Sequence, residues 1–283
     1  MRLTIDSLID PNPGAERALP PSRQGCVFTL GTFDGAHAGH ARLLNRAKRT
    51  ARLRSLPLIV LTFRRNPLET LTPDHAPRSL ATIAGKLSAL SSLGVDETIL
   101  CDFDTQLASI PPDALIASIA QRYRPADWFV GFNNTFGQSG LGTPDTLRQS
   151  SERLGFRTHV IPAMSLAGGV VSSSRIRVAI TQGDMPLAQT LLGRRYTLQG
   201  HVSSSGVLSV SDRLVIPAAG SYSVSLDGME FTIKLIPPRL GPPGPPTDAV
   251  VPVGRILPSA NQRIPIGIKQ VGFVSRALAR TGM

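Results

Sequence analysis

Cys26-Val27-Phe28-Thr29-Leu30-Gly31-Thr32-Phe33-Asp34-Gly35-Ala36-His37-Ala38-Gly39-His40 is the stretch that decides the fold. An apolar run stops at Gly31, and a loop with three glycines and two histidines follows. Residues 41–54 contain no Gly or Pro and are rich in Leu, Ala, Lys and Arg, so a helix is expected over 40–54. Strand, tight glycine loop and helix start together form the place where an α/β protein holds a phosphate. Backbone N–H groups and the positive end of the helix dipole point into such a loop. His37 and His40 stand three apart, so a helical or near-helical turn puts both on one side.

The loop is neither of the common phosphate fingerprints. A dinucleotide fold needs G-x-G-x-x-G, and a P-loop needs Gly-Lys-Ser/Thr. H-x-x-H can contribute to a zinc site, but no Cys, Glu or third His lies near it in the sequence to complete one.

The 283 residues allow one large domain or two ordinary ones, and 41% hydrophobic residues suffice for a core. Residues 1–10 mix polar and apolar side chains and do not resemble a signal peptide. No apolar run approaches the roughly 20 residues of a membrane span. Cys26 and Cys101 are the only cysteines, so no disulfide framework is implied and a cytoplasmic protein is expected. The net charge of +11 is spread along the chain. Residues 196–283 hold eight Lys/Arg and four Asp/Glu, a balance of +4 that leaves +7 for the rest. There is no basic block and no interleaving of aromatic residues, which argues against a nucleic-acid surface. Anionic small molecules suit such a protein as partners, and no membrane partner is expected.

Strands are expected over 3–5, 26–30, 56–63, 95–101, 127–131 and 158–162. Helices are expected over 82–93, 108–123, 143–154, 175–182 and 185–192. Ile59, Val60 and Leu61 form the unbroken apolar run of a strand buried on both faces. The alternation of strands and helices argues for a doubly wound parallel sheet. A second motif is Ser172-Ser173-Ser174-Arg175-Ile176-Arg177. Ser174 reads as the N-cap of a helix whose N-terminus would suit a phosphate. Arg175 and Arg177 lie two apart and cannot share a helix face, so only one of them is expected to reach an anion.

From residue 197 the pattern changes. β-branched runs separated by turns appear at 198–202, 207–210, 213–216, 221–226 and 230–236, as in a small antiparallel sheet or barrel. Residues 237–246 hold six prolines and read as a stiff loop. Beyond 250 the signals are few. Two domains are therefore expected, 1–195 and 196–283.

The run Gly31-x-Phe33-Asp34-Gly35-x-His37-x-Gly39-His40 resembles the ATP-binding signature of the nucleotidylyltransferase superfamily. In this extended form it looks like the bacterial bifunctional riboflavin kinase/FAD synthetases. Further matches support the likeness: Asn66-Pro67 after the second strand, Val130 to Gly137 after the fourth, the serine-arginine motif, and Leu191-Leu192-Gly193-Arg194-Arg195-Tyr196. The resemblance covers about residues 25–200. It implies that AMP passes from ATP, bound with Mg²⁺, to FMN, giving FAD and pyrophosphate. It assigns the catalytic work to His37, His40 and Arg177. Gly31, Phe33, Asp34, Ser173 and Ser174 would bind ATP. Asn66 and Asn133 would face the flavin. For Asp34 a magnesium or orienting role and a loop-stabilising role both remain open. Arg65 replaces a family proline and Asn134 a family aromatic, so another phosphate acceptor is an alternative. A non-catalytic flavin or nucleotide binder is a second one.

The C-terminal part sits where that family has its kinase barrel, but the G-F-P-T-A-N segment is absent. Ser203-Ser204-Ser205-Gly206 follows Gly200-His201-Val202 instead. The acids beyond 196 are Asp212, Asp227, Glu230 and Asp248, none in a kinase-like context. A degenerate barrel without riboflavin kinase activity is expected.

Overall fold

The computed structural model describes residues 2–3, 25–236, 249–258 and 267–276. Six strands form one parallel sheet: β1 (Arg2–Leu3), β2 (Cys26–Leu30), β3 (Leu58–Phe63), β4 (Glu97–Cys101), β5 (Pro125–Gly131) and β6 (Arg157–Ile161). Their order is β1-β4-β3-β2-β5-β6. From β2 the chain winds outward to β3 and β4, then returns to lay β5 on the other side of β2. The point where winding reverses lies between β2 and β5. In such sheets ligands bind beyond the carboxyl ends of the strands at that point.

Every residue of β2 and β3 is buried. Side chains alternate between the faces, so each strand feeds two cores. Phe28, Leu30, Ile59 and Leu61 meet α5 (Pro112–Tyr123) and α6 (Pro144–Leu154) through Leu115, Ile116, Ile119 and Leu147. Val27, Leu58 and Val60 meet α1 (Ala38–Arg54) through Leu43, Leu44, Ala47 and Ala51. Phe28 stacks on Tyr123 at 5.5 Å and meets Trp128 edge-on at 4.8 Å. Buried Asp127 is held by Arg54 Nε and His159 Nε2, each at 2.7 Å, which ties the end of α1 to β5 and β6. Both cysteines are buried thiols, pushed up to about 12 chiefly by loss of solvent.

Between these elements run α2 (Leu68–Leu71), α3 (Ile83–Ser92) and α4 (Thr105–Ala108). The helix expected over 108–123 starts only at Pro112, and a separate short helix, α4, ends at Ala108. Asp104 caps α4, and Pro111-Pro112 force a fresh start at α5 because proline supplies no N–H to continue a helix. Thr143 caps α6 in a reciprocal pair with Thr146. The first strand lies at Arg2–Leu3, and Ile5 is outside the described residues.

Next come a small hairpin, β7 (Ser165–Leu166) and β8 (Gly169–Val170), then α7 (Ser173–Gln182) and α8 (Met185–Leu192). Six antiparallel strands follow: β9 (Thr197–Val202), β10 (Val207–Ser211), β11 (Gly220–Leu226), β12 (Met229–Leu235), β13 (Val250–Leu257) and β14 (Gly267–Arg276). They close into a barrel in the ring order β10-β13-β12-β11-β14-β9. Burial alternates along β11 and β12 with period two, apolar side chains inward. At Gly200 a Cβ would fall 2.3 Å from the Ser209 carbonyl oxygen, so glycine alone lets β9 and β10 approach.

Two expectations for this part are corrected. Residues 213–216 form no barrel strand. Leu214 makes a single parallel bridge to Ser79, and Leu214 and Val215 are buried without joining the ladder. The segment after 250, which carries few sequence signals, supplies β13 and β14. Pro252 sits in β13 opposite Ser209, where the register shifts. A bulge of this kind tolerates proline inside a sheet. The proline-rich 237–246 lies outside the described residues.

The chain clusters into two compact units. One comprises residues 1–33, 39–73 and 87–164; the other comprises 34–38, 74–86 and 165–283. No helix among the described residues is long and apolar enough to cross a membrane.

Candidate functional site

In the first unit, β2, β3 and β5 are adjacent and parallel, so Gly31, the segment holding Asn66, and Asn133 all leave the sheet at its carboxyl edge. Thr62 Oγ1, fully buried in β3, donates to the Thr32 carbonyl at 3.0 Å and anchors the start of the glycine loop. Phe33 follows with φ of 45° and is buried, its ring 5.0 Å from that of His40. A Cβ at Gly31 would lie 3.2 Å from the Phe33 ring, so glycine leaves the aromatic room to fold back. Asn134 Nδ2 donates to the Leu30 carbonyl at 3.2 Å, fastening the turn after β5 to the end of β2. Asn133 is exposed beside it. Asn66 Oδ1 accepts from the Leu68 N–H at 3.1 Å and opens α2 as a turn residue before proline.

In the second unit, the remainder of the loop meets the serine-arginine motif at Asp34. Ser173 Oγ donates to the Asp34 carbonyl at 3.1 Å. Arg177 Nη2 pairs with Asp34 Oδ2 at 2.5 Å, and the Leu80 N–H donates to Asp34 Oδ1 at 2.9 Å. Arg177 Nε donates to the Arg78 carbonyl at 2.7 Å. One arginine thus ties together three segments distant in sequence. Burial pushes the Asp34 carboxyl up, against the pull of Arg177, the Leu80 N–H and buried Lys86.

His37 is 7% exposed and stands just before α1. Loss of solvent, reinforced by the charges of Arg194 and Arg177 and opposed by its own backbone hydrogen bond, pushes it down to about 4. At neutral pH it is an uncharged imidazole, able to donate one hydrogen bond and accept another but not to serve as a resident cation.

The helix cap lies two residues earlier than expected. Ser172, not Ser174, is the N-cap of α7: its backbone is extended and its hydroxyl accepts from the Arg175 N–H at 3.2 Å. Ser174 is exposed in the first turn. The two arginines do diverge. Arg175 donates to the carbonyls of Leu166, Ala167 and Gly169, closing the turn of the β7–β8 hairpin, while Arg177 goes to Asp34.

Thr62, Leu80, Lys86 and Arg194 also shape the loop, a role the sequence does not assign to them. Thr62, a polar residue inside a buried apolar run, and Arg194, within the matching 191–196 segment, carry a local signal. Among the described residues no group of three or more His, Cys, Asp or Glu side chains could hold a metal ion.

A family model described as FAD synthetase matches residues 19–175, more than half of the chain. The chain belongs to the FAD synthetase family. As a member it is a nucleotidyltransferase enzyme. Curated relatives named bifunctional riboflavin kinase/FMN adenylyltransferase resemble it over most of its length. The Escherichia coli K12 protein is 29% identical over 218 residues, covering 73% of this chain and 70% of the relative. The Pseudomonas fluorescens protein is 31% identical over 220 residues, covering 74% and 70%. Among solved structures, one described as a macrolide-efflux protein from Streptococcus pneumoniae superposes with a TM-score of 0.78 at 25% identity, covering 100% of this chain and 92% of that one. The FAD synthetase match ends at Arg175, so Arg177 lies just beyond it.

Proposed function

We propose that this chain transfers AMP from ATP to FMN, giving FAD and pyrophosphate, and that residues 1–195 carry this chemistry. An anionic oxygen of the FMN phosphate attacks the α-phosphorus of ATP. The bond from that phosphorus to the β-bridging oxygen breaks, and pyrophosphate leaves. The nucleophile is already charged, so no covalent enzyme intermediate is required. The protein's share is to align the reactants and stabilise charge. Gly31, Phe33, Asp34, Ser173 and Ser174 bind ATP, while His37, His40 and Arg177 act on its phosphates. Asn66 and Asn133 face the flavin. His37 works as a neutral hydrogen-bonding imidazole. Mg²⁺ enters as part of the nucleotide substrate complex; the Asp34 carboxylate oxygens accept from the Leu80 N–H and Arg177. The observation that carries the reading is the meeting of the glycine-histidine loop and the serine-arginine helix at Asp34.

We infer further that residues 196–283 are a degenerate kinase-like domain that does not phosphorylate riboflavin. In place of the family's G-F-P-T-A-N segment, the Ser203 hydroxyl is spent on its own turn. It pairs with Ser205 Oγ at 2.8 Å and accepts from the Val207 N–H at 3.1 Å. A magnesium nucleotide site without a positioned acceptor and base has little to work with.

The test is mass detection of products. Protein, ATP, Mg²⁺ and FMN should yield FAD, and riboflavin in place of FMN should yield no FMN. FMN formation would overturn the second half of the proposal. A product from pantetheine phosphate, nicotinamide mononucleotide or glycerol phosphate, but not from FMN, would favour another acceptor. The Asn134 bond to Leu30, made where the family has an aromatic, is the observation on that side.

A further inference from the structure

Arg194 follows the helix-ending Gly193, whose φ of 74° turns the chain back out of α8. Three neighbouring features of this corner touch the glycine loop. A Cβ at Gly35 would lie 3.4 Å from Leu192 Cδ2, so Leu192 packs beneath that glycine. A Cβ at Gly193 would lie 3.9 Å from the Cβ of Ala38. Arg194 then donates from Nη2 to the Gly35 carbonyl at 2.6 Å and from Nη1 to the Ala36 carbonyl at 3.2 Å. Part of the residue stays in solvent, so it is not a core-packing group.

The two carbonyls it binds belong to the last two peptide units before His37. A peptide unit is planar, so fixing its oxygen fixes the direction in which the next residue departs. The backbone here needs such support. Gly35 has φ of 72° and Ala36 φ of 38°, and a non-glycine residue in the left-handed region is strained. Ala36 has no side chain that could hold the turn, so the hold comes from outside the loop. A guanidinium suits the task because its fork serves two acceptors at fixed geometry, whereas an ammonium is a point charge on a flexible stem.

We propose that Arg194 is a positioning residue for adenylyl transfer: its fork fixes the two peptide planes that deliver the His37 imidazole. The inference rests on the adenylyl-transfer reading of the loop. Arg194 does not act on substrate itself. Its charge also bears on His37, together with that of Arg177.

The experiment compares Arg194→Ala, Arg194→Lys and the neighbouring Arg195→Ala in FAD formation and in the NMR spectrum of the His37 ring. The ring signals are identified by their loss in His37→Asn. Arg194→Ala should lower kcat about 10- to 100-fold, the scale of a small misplacement of a reacting group, with KM for FMN within about twofold. Added guanidinium should restore several-fold of the lost rate. Arg194→Lys should recover little, and Arg195→Ala should match the wild type. The His37 ring signals should move in both Arg194 variants. Unchanged kcat and unmoved His37 signals would overturn the inference, as would full activity in Arg194→Lys. If Arg194→Ala fails to fold, the lysine variant decides on the same two readouts. If the wild type makes no FAD, the functional reading fails, and the ring signals alone decide whether Arg194 positions His37.

Discussion

Asp34→Asn, alone and combined with Arg177→Met, tests the junction on which the candidate site depends. The two side chains are 9% and 15% exposed, so the range of about 0–1 kcal/mol typical of surface pairs does not apply. Removing one partner of a buried pair leaves an uncompensated charge and costs about 3–5 kcal/mol. The asparagine amide oxygen still accepts the Leu80 N–H, so Asp34→Asn belongs at the lower end, about 3 kcal/mol. Asp34→Ala also orphans that N–H and adds about 1–3 kcal/mol. Arg177→Met removes the guanidinium from a carboxyl that burial already pushes toward the protonated form. The decisive quantity is the coupling. If the pair acts as a unit, the double variant loses less than the sum of the singles by about 0.5–3 kcal/mol. A chain of two compact units is not safely two-state, so the measurement is native-state hydrogen exchange at amides of the second unit, Leu80 included. Costs that add within about 0.5 kcal/mol, or single losses below about 1 kcal/mol, would refute the reasoning.

His37→Asn should flatten part of the acid stability profile. Between the ordinary 6.5 and the folded value of about 4, the unfolded chain binds a proton that the folded chain refuses. Stability therefore falls as pH drops through that window. The loss approaches about 3 kcal/mol at its lower end and is absent above the unfolded value. The same exchange measurement at second-unit amides in both proteins from pH 7 to pH 4 should show the difference, and parallel profiles would sink the assignment. Gly200→Ala should destabilise the barrel by about 1–3 kcal/mol, as overpacking does, because its Cβ has no room beside the Ser209 carbonyl. A wild-type exchange rate at the β9 and β10 amides would contradict that close approach.

The parts of the fold legible in the sequence are those whose physics is local. β2 and β3 are buried on both faces, so their apolar runs are unbroken and easy to see. The break at Gly31 and the helix after it follow from composition alone. Ser172 lost out to Ser174 in the sequence reading because three consecutive serines are equally able to cap. The choice is made by which hydroxyl reaches the Arg175 N–H. β13 was hidden by Pro252, which sits where its ladder with β10 slips, a pairing that local sequence does not reveal. Residues 213–216 look like a strand because Leu214 and Val215 are apolar, but their one backbone pairing is the bridge from Leu214 to Ser79, outside the barrel ladder. In the site, the histidines, serines and Arg177 were legible as motif residues. Arg194 was legible only as part of the matching 191–196 segment, and its hold on the loop was not, because the carbonyls it binds lie far back in the chain and carry no side-chain signature.

The ring order of the barrel has a consequence for how the chain is made. β9 pairs with β10, its neighbour in sequence, and on its other side with β14, which lies about 70 residues downstream. Until residues 267–276 emerge from the ribosome, β9 has one unpaired edge, and closing so long a loop is entropically slow. A nascent chain stalled before that point exposes a strand edge open to intermolecular pairing. Emergence of β14 is therefore also the step that removes the open edge of β9.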